Sequence, residues 1–119
     1  MSESQAIFNH AQQFIPGGVS SANRLVEPNI TFTRAEGAYI FDADGKQYID
    51  YHAAFGPPVL GHCHPEVNRQ VYEELSKHDL IGVGTSEREA QLAEKIVGHI
   101  PSANKVMFCN SGSEATYSA

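Results

Sequence analysis

Lys105–Ala119 reads KVMFCNSGSEATYSA, and the reading of the whole chain turns on it. Val106–Cys109 is a short apolar run that reads as a strand. Asn110–Ser113 is a turn of small polar residues, and Glu114 onward reads as the start of a helix. Strand, tight turn and helix start together present unpaired backbone N–H groups to an anion. Gly112 lets the backbone approach a ligand closely, and Ser111 and Ser113 flank it with hydroxyl donors. The same residues carry a second reading. Ser111-x-x-Glu114 fits a capping box, in which serine and glutamate satisfy the helix-terminal N–H groups with no ligand at all. Both readings stand on the residues alone.

Outward from this stretch, composition narrows the class. The 119 residues suffice for one modest domain, and 41% hydrophobic content excludes a disordered tail. No apolar run approaches a membrane span, and the start Met1-Ser2-Glu3-Ser4-Gln5 is too polar for a signal peptide. Eight Lys+Arg against fourteen Asp+Glu give a net charge of −6 with no basic patch, so no nucleic-acid partner is expected. Cys63 and Cys109 lie far apart, unlike a disulfide framework, which suits a reducing, cytoplasmic setting. The helix opening at Glu114 has barely begun at Ala119 and carries no stop signal, so the segment reads as a fragment of something larger.

The N-terminal half carries its own signals. Ile7, Phe8, Ala11, Phe14 and Ile15 fall close to helical spacing over Ser4–Ile15, with Ser4 as a cap and Pro16-Gly17-Gly18 as the stop. Val19–Arg24 is small and polar and ends in one arginine. On its own it reads as a linker, with carboxylate binding by the guanidinium fork as the functional alternative. Ile30–Phe41 alternates as strands do. Asp42–Lys46 is a turn around Asp44-Gly45, and Gln47–Tyr51 is the return strand. Asp42 and Asp44 lack the later oxygen ligands of a calcium loop, so the pair reads as a hairpin turn.

Ala53–Pro65 is irregular, broken by Gly56, Pro57, Pro58 and Gly61. His62-Cys63-His64 lacks the ligand spacing of a structural zinc site, and no metal is expected. Pro65 at a first helical position opens a helix to about His78, with Val67, Val71 and Leu75 as its apolar stripe. A second helix runs from Ser86 to about Ile100. Ser86-x-x-Glu89 is its capping box, and Leu92, Ile96 and Ile100 are its stripe. Helix, helix, strand, helix is the order of an α/β layer.

Five stretches, in this order, resemble one family. They are IPGGVSSANR at Ile15–Arg24, DADGKQYIDY at Asp42–Tyr51, LGHCHPEV at Leu60–Val67, SEREAQLAEKI at Ser86–Ile96 and FCNSGSEAT at Phe108–Thr116. The chain resembles the N-terminal part of class III pyridoxal-phosphate-dependent aminotransferases, closest to glutamate-1-semialdehyde 2,1-aminomutase-like members. The resemblance implies a fold-type I transferase of the α/β class. Residues 1–55 would be an N-terminal small-domain segment with a β-hairpin, and residues 56–119 the beginning of the cofactor-binding large domain. It implies that Ser111, Gly112 and Ser113 receive the phosphate of pyridoxal 5'-phosphate. It implies too that Ser21 and Arg24 contact an amino acid or amino-aldehyde substrate, Arg24 through its carboxylate. Members of the family are homodimers.

The resemblance also implies what is missing. The family's Schiff-base lysine lies well downstream of the SGSEA turn, and Lys46, Lys77, Lys95 and Lys105 match no such position. The chain alone is therefore expected to be catalytically inert, with aminotransferase or aminomutase chemistry belonging to the complete protein. Ala22 and Asn23 depart from the aminomutase pattern, which leaves both reactions open. A non-catalytic phosphate- or nucleotide-binding α/β module is the alternative, although no Walker lysine follows the turn and no G-x-G-x-x-G follows a strand.

Overall fold

A computed structural model describes all 119 residues. The chain divides into two units, Met1–Ser76 and Lys77–Ala119. No helix is long and apolar enough to cross a membrane.

The first unit is built on an antiparallel meander of β1 (Phe32–Glu36), β2 (Tyr39–Asp42) and β3 (Gln47–Ile49). The register pairs Ala35 with Ile40 and Glu36 with Tyr39 on one side of β2, and Tyr39 with Ile49 and Ile40 with Tyr48 on the other. The expected turn at Asp42–Lys46 is present. Asp42 holds it: one carboxylate oxygen accepts from the Lys46 N–H at 2.7 Å and the other from the Tyr48 hydroxyl at 2.7 Å. Asp42 is 7% exposed, and these bonds offset the cost of burying its carboxylate. The hydrogen bond to Asp42 raises the Tyr48 pKa, because losing the phenolic proton would leave two anions in contact. A second turn, at Gly37-Ala38, splits the Ile30–Phe41 run into β1 and β2.

Helix α1 (Glu3–Ala11) is tied to this turn from its N-terminus. Asp44 accepts from the N–H groups of Glu3 at 2.7 Å and Ser4 at 3.1 Å, which holds its carboxyl below the usual value. The local cap is Ser2, not Ser4: the Ser2 hydroxyl accepts from the Gln5 N–H at 3.2 Å. Ser2 has the extended backbone a cap requires, whereas Ser4 lies in the first turn and is 3% exposed. The helix also ends sooner than its apolar spacing suggests, and Phe14 is 74% exposed. Short turns follow at Pro16–Gly18 and Ala22–Arg24.

Helix α2 (Pro65–Leu75) begins at the expected proline. Arg69 bridges Glu66 and Glu73 along its surface, and the guanidinium lowers the Glu66 pKa to about 2.

In the second unit, α3 (Glu87–His99) starts as its capping box predicts, with the Ser86 hydroxyl accepting from the Glu89 N–H at 3.1 Å. Helix α4 (Gly112–Ser118) closes the chain. The expected strand at Val106–Cys109 does not form. A strand exists only through a ladder to a neighbour, and this segment pairs with none of β1–β3. Neither unit contains a fully buried hydrophobic side chain. The α2 stripe of Val67, Val71 and Leu75 remains about half exposed, as do Leu92 and Ile100 of the α3 stripe.

Candidate functional site

The turn into α4 settles how its two readings relate. Ser111 has an extended backbone, and its hydroxyl accepts from the Glu114 N–H at 3.2 Å. Glu114 reaches back and accepts from the Asn110 N–H at 2.7 Å. The capping box is therefore formed, in a variant that closes on the residue before the cap. It uses the N–H groups of Glu114 and Asn110 only.

The N–H groups of Ser111, Gly112 and Ser113 have no acceptor within the chain, and neither does the Ser113 hydroxyl. Thr116 donates to the carbonyls of Gly112 and Ser113, both at 3.0 Å, and so steadies the far side of the same turn. The cap therefore does not consume the donors that an anion would need. The cap fixes the orientation of three donors that it leaves free.

Gly112 completes the arrangement. A Cβ built there meets no atom of the chain within 4 Å. The glycine is not needed to avoid a clash within the protein; it keeps open the space in front of the helix end. Cβ atoms tilt toward a helix N-terminus, so any side chain at this first helical position would project into that space. Open space, three consecutive N–H groups without an acceptor in the chain and two hydroxyls suit a phosphate group.

A second cluster of candidates lies in the first unit. Ser21 precedes the Ala22–Arg24 turn with an extended backbone, and its carbonyl accepts from the Arg24 N–H at 2.9 Å. Both side chains are exposed, and the Arg24 guanidinium makes no ion pair or hydrogen bond within the chain. Its fork is free for a carboxylate. The structure thus groups Ser111, Gly112 and Ser113 on one turn and Ser21 with Arg24 on another, in different units.

One polar constellation escaped the sequence reading. His62, considered there only for a metal, bonds through Nε2 to Asp50 Oδ2 at 2.7 Å. The remaining Asp50 oxygen accepts from the N–H groups of His52 and Ala53 at 2.9 and 3.0 Å. The His62 bond, then the Ala53 N–H, hold the Asp50 carboxyl below its usual value. Twelve residues separate the pair, so no short-range spacing announces it. The signal was the loop itself: glycines and prolines bracketed by two polar residues that can meet.

Comparisons with known proteins bear on the chain's family and fold. The family model for class III aminotransferases matches residues 20–119. A glutamate-1-semialdehyde 2,1-aminomutase from Methanothrix thermoacetophila is 42% identical over 120 aligned residues, which cover 100% of this chain and 28% of that protein. An omega-transaminase from Sphaerobacter thermophilus superposes with a TM-score of 0.92 at 31% identity, over 98% of this chain and 27% of that one. A structure described as a transaminase with PLP bound superposes with a TM-score of 0.90 at 27% identity, over 97% of this chain and 27% of that one. The chain thus spans little more than a quarter of the length of these relatives. Its architecture is that of the N-terminal part of their α/β fold, which agrees with the sequence expectation. With most of its residues matched by the family model, the chain belongs to the class III aminotransferase family.

Proposed function

We propose that the complete protein carries out pyridoxal-phosphate-dependent amino-group transfer, and that Ser111, Gly112 and Ser113 hold the cofactor phosphate. The observation that carries this is the formed capping box with three free N–H groups beside an open glycine position. When bound, the cofactor supplies an electron sink for the carbanion formed as the amino substrate loses a proton. This chain's own part is binding and orientation. The α4 turn anchors the phosphate end, and its partial positive charge favours the dianion. Ser21 and Arg24 hold the substrate carboxylate, with the planar fork of Arg24 setting its direction.

The lysine that engages the cofactor is not among Lys46, Lys77, Lys95 and Lys105 on this reading, and these 119 residues alone are inert. Residues 1–55 form a small-domain segment and residues 56–119 begin the large domain. The complete protein is a cytoplasmic homodimer acting on a small amino acid or amino-aldehyde. Identities of 42% and 47% with proteins named glutamate-1-semialdehyde 2,1-aminomutase support the aminomutase reaction over transfer to a keto acid.

The test uses the complete protein loaded with pyridoxal phosphate and given glutamate-1-semialdehyde with no keto acid. Isomerisation that moves the amine to the neighbouring carbon supports the aminomutase. Turnover of amino acids only when a keto acid is added supports an aminotransferase. Saturable binding of inorganic phosphate or nucleotide, with no affinity for pyridoxal phosphate, would overturn both in favour of a non-catalytic module.

A further inference from the structure

Three consecutive residues that are not glycine turn left-handed in the loop after β3. Ala53, Ala54 and Phe55 have φ angles of 45°, 47° and 67°, and Gly56 follows at 116°. In this region Cβ crowds the backbone carbonyl, so a run of three persists only where its surroundings hold it. Phe55 is 76% exposed in this chain, and its ring packs edge-on against His52 with 4.3 Å between centroids. Within the run the Phe55 N–H donates to the His52 carbonyl at 3.0 Å and the Gly56 N–H to the Ala53 carbonyl at 2.7 Å, and further polar restraint comes from the ends of the loop.

At one end Asp50 accepts from the N–H groups of His52 and Ala53, at the entrance to the strained run. At the other, His62 Nε2 donates to the same carboxylate. The two side chains are 10% and 22% exposed, respectively. His62 is itself pinned by its backbone. Its N–H donates to the Gly37 carbonyl at 2.8 Å, and its carbonyl accepts from the Gly37 N–H at 2.9 Å. Gly61 makes that approach possible. A Cβ there would stand 2.9 Å from the Gly37 carbonyl oxygen, against backbone that cannot give way. Residues 51–61 therefore form a closed loop whose two ends meet at the β1–β2 turn, in the manner of a compact Ω-loop.

We propose that Asp50 and His62 are the two halves of a latch that holds residues 53–56 left-handed and so fixes the 51–61 loop in one conformation. Removing the imidazole frees the carboxylate to turn toward water. The strained run then relaxes to ordinary backbone angles, and the loop opens as a unit. The meander beneath it stays formed, because the Asp42 turn and the β-ladders do not use the latch. The inference stands on this geometry and does not depend on the amino-transfer reading.

Amide hydrogen exchange on the complete protein tests it, comparing the parent with His62→Ala. Exchange across residues 52–60 is expected to quicken by about tenfold or more while residues 39–49 keep the parent rate. Unchanged exchange at 52–60 would overturn the latch. So would an equal increase at 39–49, since that marks general loss of structure. Ala54→Gly provides an independent check that leaves Asp50 and His62 untouched. Glycine accepts the left-handed angle freely, so releasing strain raises the melting temperature, and glycine in an unstrained position lowers it. A lower melting temperature for Ala54→Gly would show that the turn stores no strain, and the proposal fails.

Discussion

Replacing Gly112 with valine separates cofactor binding from folding, because the structure gives the two effects different sizes. A Cβ at Gly112 touches nothing in the chain within 4 Å. Gly112 is the first residue of α4, where the helix-propensity difference acts weakly. Stability is therefore expected to hold within about 0.5 kcal/mol. Affinity is another matter. The isopropyl group tilts into the space before the helix end, where a phosphate would take the N–H groups of Gly112 and Ser113. Each charge-assisted bond is worth about 1.5–3 kcal/mol, so loss of one raises the dissociation constant by roughly 10- to 150-fold. The assay is a fluorescence titration of the complete protein with pyridoxal phosphate, run beside pyridoxal, which lacks the phosphate. The expected result is a large loss for the former and little change for the latter, at unchanged melting temperature. Equal affinity of parent and variant for pyridoxal phosphate would refute the phosphate assignment and leave the turn a helix cap only.

Three further outcomes are expected. Arg24→Lys keeps the charge but loses the bidentate fork; it should raise KM for a carboxylate substrate about tenfold with cofactor affinity unchanged, and an unchanged KM would remove Arg24 from the substrate site. Asp50 has its pKa lowered by His62, so in acid the unfolded chain takes up the proton first. Its stabilising contribution is complete above the ordinary aspartate value and is lost as pH falls through the lower folded value; denaturant melts across that window should show a shallower acid decline in Asp50→Asn than in the parent. Ser86→Ala removes the acceptor of the Glu89 N–H and should cost about 1 kcal/mol of stability by the same melts, whereas a change under about 0.3 kcal/mol would show that the cap contributes little.

The features legible in the sequence were those whose partners lie within one turn. Ser111 with Glu114, and Ser86 with Glu89, are three residues apart, so the chemistry of a cap could be read directly. Asp42 and Tyr48 face each other across a hairpin turn whose Asp44-Gly45 pair already marked the reversal. The proposed anion site could be argued from sequence for the same reason, since its donors are consecutive backbone groups. What could not be read was whether the cap consumed them. That answer needed the Glu114 carboxylate located on the Asn110 N–H, which leaves Ser111, Gly112 and Ser113 free.

Features that depend on distant partners stayed hidden, and they share one physical cause. Asp44 caps α1 from some forty residues away, and Asp50 meets His62 across a loop; neither contact has a periodicity to betray it. Val106–Cys109 shows the converse. Its apolar run is a sound strand signal, but pattern records only what a segment is suited to pair with. It forms no ladder here, as the apolar stripes of α2 and α3 stay half exposed without cover. Side chains patterned for burial stabilise a fold only once water is removed from them. Under the proposed reading, that cover comes from the fold represented by the other 72–73% of the relatives' lengths. The same dependence explains why the α4 turn, whose geometry is local, is the part of the site that can be argued from these residues alone.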